Sequence, residues 1–237
     1  MWTPSTCLAD KVDGVYKLVP IMAQIPVKPT EPPRATYRHG DLRRALLEAG
    51  INLAREGGPA AVVLREATRR AGVVPNAAYR HFASRQDLME AVRAAALADL
   101  ARTMEAELAA IDQALPPADQ ARASLRAMGL GYLRYALTEP GLFRAAFAFY
   151  ETPEADADPA KTGHSGLNPF QLLSAALDRM VASGVLDVNR RAGAEFLAWS
   201  AVHGFAMLIL DGPLRSLPKD QIQPLGNRLV EMVERGL

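Results

Sequence analysis

Asn76, Tyr79, Arg80 and His81 fall within six consecutive residues, directly after Pro75, and Arg85 follows shortly. Amide, phenol, imidazole and guanidinium at this spacing suit recognition rather than bond cleavage. An Asn amide pairs with an adenine edge, and the planar guanidinium fork matches phosphate oxygens and guanine. The groups needed for other chemistries are missing. There is one cysteine, no HxxxH and no Gly-rich phosphate loop, so neither a metal nor a nucleotide cofactor has ligands here. His39, His81, His164 and His203 are scattered. Gly163-His164-Ser165-Gly166 is not a nucleophile elbow, and no strand pattern precedes it.

To act together, these side chains need a short helix held against a scaffold. Apolar residues at Leu42, Ala45, Leu46, Ala49 and Leu53 have helical spacing, and Gly57-Gly58-Pro59 ends that run. A second helix is expected over 63–71, with Leu64, Ala67 and Ala71 on one face. Gly72 supplies the turn, and Pro75 opens a third helix over 75–81. Leu64, Ala67 and Phe82 can hold this pair against the first helix. Pro75, Asn76, Tyr79 and Arg80 then face outward, as a recognition helix entering a major groove requires. Ser84, with Asp87 three residues on, caps a long helix expected over 85–112, before Pro116-Pro117.

Charge agrees with that placement. The net charge is only +1, but residues 34–93 hold 11 arginines against 6 acids, and the remainder after them is acidic. The chain is 49% hydrophobic and rich in Ala and Leu, which predicts an all-α fold. No apolar run is long enough to cross a membrane. Asp10 and Asp13 stand where a signal peptide would be apolar, and a single cysteine suits a reducing compartment, so a cytoplasmic protein is expected. Residues 1–36 contain six prolines and no helical period, which reads as a disordered arm. Met22 is a plausible internal start, and a chain beginning there is expected to fold and bind as well as the full one.

The ordered set Ala71-Gly72-Val73, Tyr79-Arg80-His81-Phe82, Arg85 and Leu88 resembles the signature of the tetracycline-repressor (TetR) family over about residues 38–92. The resemblance implies a three-helix helix-turn-helix domain over 37–84 and a helical ligand-binding and dimerisation domain over 85–237. It implies a homodimeric regulator whose partners are a double-stranded, palindromic DNA operator and a small-molecule effector. Tyr79, His81 and Arg85 would meet phosphates, Asn76 a base edge, and Arg65 and Arg80 the duplex. One departure stands out. Family members usually carry Ser or Thr where this chain has Val63 and Val74, so both helices are expected to begin without a side-chain cap.

The second half predicts helices over 119–137, 140–149, 168–183, 189–210 and 218–235, with a mobile loop over 151–167. Trp199, His203 and Gly204 look like the Trp-His-Gly block of one C-terminal subclass of these regulators. Glu139-Pro140-Gly141-Leu142-Phe143-Arg144 looks like the family's short middle helix. Met128, Tyr132, Tyr135 and Phe143 are candidate lining for a pocket for a small, mostly apolar effector, together with Phe147, Phe170, Trp199 and His203. Ile222, Leu225, Leu229 and Met232 form a stripe at helical spacing and, with Gly204, are candidates for a dimer interface. A ligand-released repressor is the leading expectation. An activator, a regulator controlled by a protein partner, and a helical enzyme or carrier remain open.

Overall fold

The computed structural model describes residues 39–148 and 158–237, which form nine α-helices and no strand among them. The expected arm over 1–36 and the Met22 start lie outside the described residues. Helix α1 (His39–Ala61) buries Leu46, Ala49, Leu53 and Ala54 along one face. Its regular course breaks where the sequence predicts: Gly58 has φ of 67°, a backbone that side-chain-bearing residues rarely adopt, and Pro59 follows. Helices α2 (Leu64–Arg70) and α3 (Pro75–Ala78) come next. The third helix is shorter than expected, because residues 79–81 form turns rather than a further helical turn.

Helix α4 (Arg85–Ala109) is the spine of the molecule. The Ser84 hydroxyl accepts from the Asp87 amide at 3.1 Å, and the Asp87 carboxylate accepts from the Ala83 amide at 3.0 Å, so two donors at the helix start are satisfied reciprocally. Leu88, Met89, Val92, Leu100 and Ala101 are buried where α4 packs on α1, α5 (Pro117–Thr138) and α6 (Pro140–Ala146). Helix α6 crosses between α1 and α4. Helices α7 (Pro169–Ala182), α8 (Ala194–Leu210) and α9 (Lys219–Gly236) complete the packing around α5.

Two expectations for the second half change. Helix α8 does not run unbroken from 189: Val188–Arg190 is a separate 3₁₀ turn, and Gly193, at φ of 78°, restarts the chain. Within the loop expected to be mobile, residues 158–167 are anchored. Pro159–Lys161 is a 3₁₀ turn, and the Glu105 carboxylate accepts from the amides of His164 and Ser165 at 2.8 and 2.9 Å. Burial acts to raise the Glu105 carboxyl, but the bonds from Ser165 and His164 together outweigh it and hold the group below its ordinary value. The earlier part of that loop lies outside the described residues.

Candidate nucleic-acid interface and cavity

The turn between α2 and α3 follows from local hydrogen bonding. Gly72 has φ of 67°, its amide donates to Arg69 O at 3.2 Å, and the Val73 amide donates to Thr68 O at 3.0 Å. This paired closure satisfies the last carbonyls of α2 and needs a residue free of Cβ strain at 72. Leu64, Ala67, Ala78 and Phe82 are buried beneath the pair. The opposite side presents Asn76, Tyr79 and Arg80 to solvent, with Tyr79 56% exposed, and His81 is half-buried beside them. Pro75 occupies the first turn of α3. Val63 and Val74 stand at the two N-caps without any side-chain capping bond, as their types require, and Val74 is 67% exposed.

The arginines divide into two groups. Arg69 grips Glu66 through two bonds of 2.8 and 2.7 Å, and Arg70 grips Glu56 through two of 2.7 Å while also reaching Glu66. The Arg69 bond, then the Arg70 bond, lower the Glu66 carboxyl to about 2. Arg65 and Arg80 are exposed and form no ion pair among the described residues. Arg85, the expected phosphate contact, is exposed and also has a structural role. Its Nε donates to Val62 O at 2.7 Å and its Nη2 to Pro59 O at 2.8 Å, so it fastens the α1–α2 loop to the start of α4. Nothing in the spacing of the motif distinguishes a guanidinium facing a phosphate from one facing carbonyls 23 and 26 residues upstream.

A second feature lies among α4, α5, α7, α8 and α9: a cavity of about 310 Å³. Six of the eight candidate residues, Met128, Tyr132, Phe147, Phe170, Trp199 and His203, line it. Phe143 lies behind the wall, its ring edge-on to Tyr132 at 5.4 Å. Tyr135 is directed away, towards charges that include Asp99 and Glu139, and its buried hydroxyl has no hydrogen-bond partner among the described residues. Helical spacing alone does not resolve which side of a buried helix meets a void. Arg93 and Lys161 also line the cavity and were missed by sequence reasoning, which treats buried cations as exceptions.

Within the wall, Trp199 Nε1 donates to the Tyr132 hydroxyl at 3.1 Å, and that hydroxyl lies 2.7 Å from His203 Nδ1. Burial pushes the Tyr132 phenol well above its ordinary value, against a smaller opposing effect of the Trp199 bond. The phenol is therefore protonated. Its proton finds an acceptor among the described residues only if Nδ1 accepts, which places the imidazole proton on Nε2. Burial also lowers the His203 pKa below its ordinary 6.5, so the ring is neutral near pH 7.

Helix α6 joins these two features. A Cβ at Gly141 would collide with the carbonyl oxygens of Ala54 and Arg55, so the first turn of α6 lies directly on the backbone of α1. The Arg55 Nε–Glu139 pair at 3.0 Å fastens the same contact. Just beyond its other end, Phe147 packs on His203 with ring centres 4.9 Å apart, and Arg144 pairs with Asp211 at the end of α8. Elsewhere on the surface, α8 leaves Leu197 and Leu208 exposed at 66% and 43%, and a Cβ at Gly204 would meet open space. Ile222, Leu225 and Leu229 are half-buried or exposed along α9, and Met232 is 61% exposed.

Two family models match the chain. "Bacterial regulatory proteins, tetR family" covers residues 46–92, and "Tetracyclin repressor-like, C-terminal domain" covers 125–233. Among solved structures, a protein of unknown function from Rhodococcus sp. RHA1 is 25% identical, with a TM-score of 0.66 over 86% of this chain and 98% of that one. The TetR family regulator PfmR from Thermus thermophilus is 21% identical, with a TM-score of 0.50 over 81% and 98%. RolR, solved in complex with resorcinol, is 19% identical, with a TM-score of 0.52 over 82% and 88%. No curated protein matches. The chain belongs to the TetR family of transcription regulators, with a DNA-binding N-terminal domain and a helical C-terminal domain, and it is a transcription factor rather than an enzyme. No group of three metal-ligating side chains occurs among the described residues, and no helix there is long and apolar enough to cross a membrane.

Proposed function

We propose that the protein is a cytoplasmic, homodimeric repressor that leaves a palindromic operator when a small molecule fills the cavity. The observation that carries this reading is a mostly apolar cavity whose aromatic wall includes Phe147, just past the helix that rests on α1. At about 310 Å³ it falls at the small end of the range typical of ligand pockets. Residues 37–84 form the DNA-reading part, and 85–237 bind the effector and the second subunit. In the complex, Tyr79 and His81 meet phosphates, Arg65 and Arg80 meet the duplex, and Asn76 reads a base edge. RolR, which shares the fold, was solved with resorcinol, a small aromatic molecule.

A ligand changes DNA affinity only if it binds the two conformations differently. Here it would do so by displacing Phe147 and shifting α6 against α1, which alters the spacing of two recognition helices. The second subunit packs on the exposed apolar faces of α8 and α9, around Leu197, Gly204, Leu208 and Met232, where an unpartnered apolar surface is otherwise left in water.

The test is a screen of small hydrophobic compounds by thermal shift, followed by operator binding. A compound that stabilises the protein should weaken operator affinity and should itself bind the DNA complex more weakly by the same factor. Stabilisation with unchanged operator affinity would reject the switch. For assembly, Leu208→Glu should give a folded monomer by sedimentation and lose at least about tenfold in operator affinity. A wild-type monomer at micromolar concentration would reject the dimer.

A further inference from the structure

We infer that the cavity's occupant is an uncharged aryl compound whose polar group is a hydrogen-bond acceptor, such as a ketone oxygen, held by the Nε2–H of His203. The inference rests on the effector-cavity reading above and names the class of ligand. The chain of bonds that begins at Trp199 has a fixed direction, because an indole nitrogen only donates. Trp199 Nε1 donates to the Tyr132 hydroxyl at 3.1 Å, and that hydroxyl lies 2.7 Å from His203 Nδ1. The phenol proton then goes to Nδ1, and the imidazole proton stands on Nε2. With the ring proton on Nδ1 instead, the Tyr132 oxygen would meet two donors, and its own proton would have no acceptor among the described residues.

Nε2 donates to nothing among the described residues. Glu107 Oε1 and Tyr135 Oη are the side-chain atoms there that are both sealed and without a hydrogen bond. Nε2 is not one of them, so it opens onto accessible space, and the space that His203 lines is the cavity. A ligand N–H or O–H at Nε2 would need the ring proton moved to Nδ1, which turns the Tyr132 proton away from its acceptor. A ligand acceptor needs no such rearrangement. Ser200 also lines the cavity, but its hydroxyl can donate or accept and does not discriminate. One neutral N–H does not offset the desolvation of an ion, and Arg93 and Lys161 in the wall both reach the Glu90 carboxylate. The occupant that fits is therefore uncharged.

The rest of the wall asks for an aromatic body. Tyr132 from α5, Phe147 just past α6, Phe170 from α7 and Trp199 from α8 bring rings to it from four elements. Phe147 stands edge-on to the imidazole with ring centres 4.9 Å apart, and Phe170 edge-on to Trp199 at 6.2 Å. A planar ring placed among them gains further edge or offset contacts. Because Phe147 packs on His203, an acceptor held at Nε2 also stands beside the end of α6. The contact that selects the ligand is then the one that reaches the helix resting on α1.

The test uses four small probes: acetophenone, which only accepts, ethylbenzene, which does neither, indole, which only donates, and the anion benzoate. Each is titrated into the full chain by calorimetry near neutral pH. Acetophenone should bind several-fold tighter than indole or benzoate. His203→Phe should weaken acetophenone about three- to tenfold, the scale of one hydrogen bond, and change ethylbenzene by less than about twofold. Nitrogen NMR of the wild-type chain with isotope-labelled histidine needs no variant. One neutral ring should carry its proton on Nε2, and that nitrogen's resonance should move when acetophenone is added. The assignment is overturned, and the cavity reading stands, if indole or benzoate binds as tightly as acetophenone. The same holds if His203→Phe weakens acetophenone and ethylbenzene alike, or if the ring that responds carries its proton on Nδ1. If none of the four binds at millimolar concentration, both fall.

Discussion

Gly141 rests on Ala54 so closely that the carbonyl oxygen of Ala54 occupies the place where a Cβ would stand. The neighbouring Arg55 carbonyl oxygen is 2.6 Å from the same point. Backbone meets backbone here, and the contact cannot relax by rotating a side chain. Gly141→Ala should therefore force α6 off α1, at a cost of about 1–3 kcal/mol by analogy with overpacked cores. A lower thermal midpoint together with altered operator affinity is expected. An unchanged midpoint would mean that α6 does not rest on α1 in solution.

Arg85 and Arg80 should respond differently to alanine. Arg85→Ala loses two charge-assisted bonds to the Val62 and Pro59 carbonyls and should destabilise the protein by about 1.5–3 kcal/mol. Arg80→Ala should leave the thermal midpoint in place and make the dependence of log affinity on log salt shallower by about one unit. The pair is checked by thermal melts and by operator binding across a salt series. An unchanged thermal midpoint in Arg85→Ala would mean that its two carbonyl bonds contribute little to the fold.

The two buried tyrosines offer a second contrast. Tyr132→Phe strands the Trp199 N–H and the His203 imidazole and should cost about 1–3 kcal/mol, because a buried donor or acceptor loses its partner. Tyr135→Phe removes a buried hydroxyl that has no partner among the described residues and should be neutral or stabilising. Chemical denaturation of both variants decides the matter. Equal losses would show that Tyr135 has an important partner of its own.

His203 predicts a pH dependence with a definite sign. Burial lowers its folded pKa below the ordinary 6.5, so the unfolded chain binds the proton more readily. Stability from this group is fully present above pH 6.5 and is lost as pH falls from there towards and through the folded value. The groups packed against the ring are Tyr132, Phe143, Phe147 and Trp199, none of which changes charge in that interval. The carboxyls whose pKa values are lowered start from ordinary values of 4.5 or below and act at more acidic pH. His203→Asn should flatten the curve of thermal midpoint against pH between about 7.5 and 5.5. An equal slope in wild type and variant would assign the effect elsewhere.

The helix-turn-helix was legible in the sequence because its determinants are local. Gly72 at the turn, Pro75 at a helix start and Ser84 with Asp87 at another each act within a few residues of themselves. The apolar period placed Leu46, Leu53 and Phe82 inside for the same reason. The site was less legible where partners are distant in the chain. Arg85 finds the carbonyls of Pro59 and Val62, Glu105 clasps a loop some 60 residues on, and Arg93 and Lys161 meet at Glu90. Helix periodicity marked Tyr132 and Tyr135 as equally buried and could not tell that one faces a void and the other the α1 side. Gly141, in the Glu139-Pro140-Gly141 segment, carried the signal for the α6 contact, since a glycine in the first turn of a helix invites a close neighbour.

The chain of pairs Glu56–Arg70–Glu66–Arg69 has a consequence for how this regulator shares a chromosome. Eleven arginines between residues 34 and 93 suggest a strongly charged reader. Yet Arg69 and Arg70 are matched by acids and Arg55 by Glu139, so three of those charges are already neutralised within the protein. Each charge paired within the protein displaces fewer counterions from a duplex, which lowers the sequence-independent part of DNA affinity. On the repressor reading proposed above, the choice of site would then rest more on contacts such as Asn76 and on a matched pair of half-sites than on bulk charge.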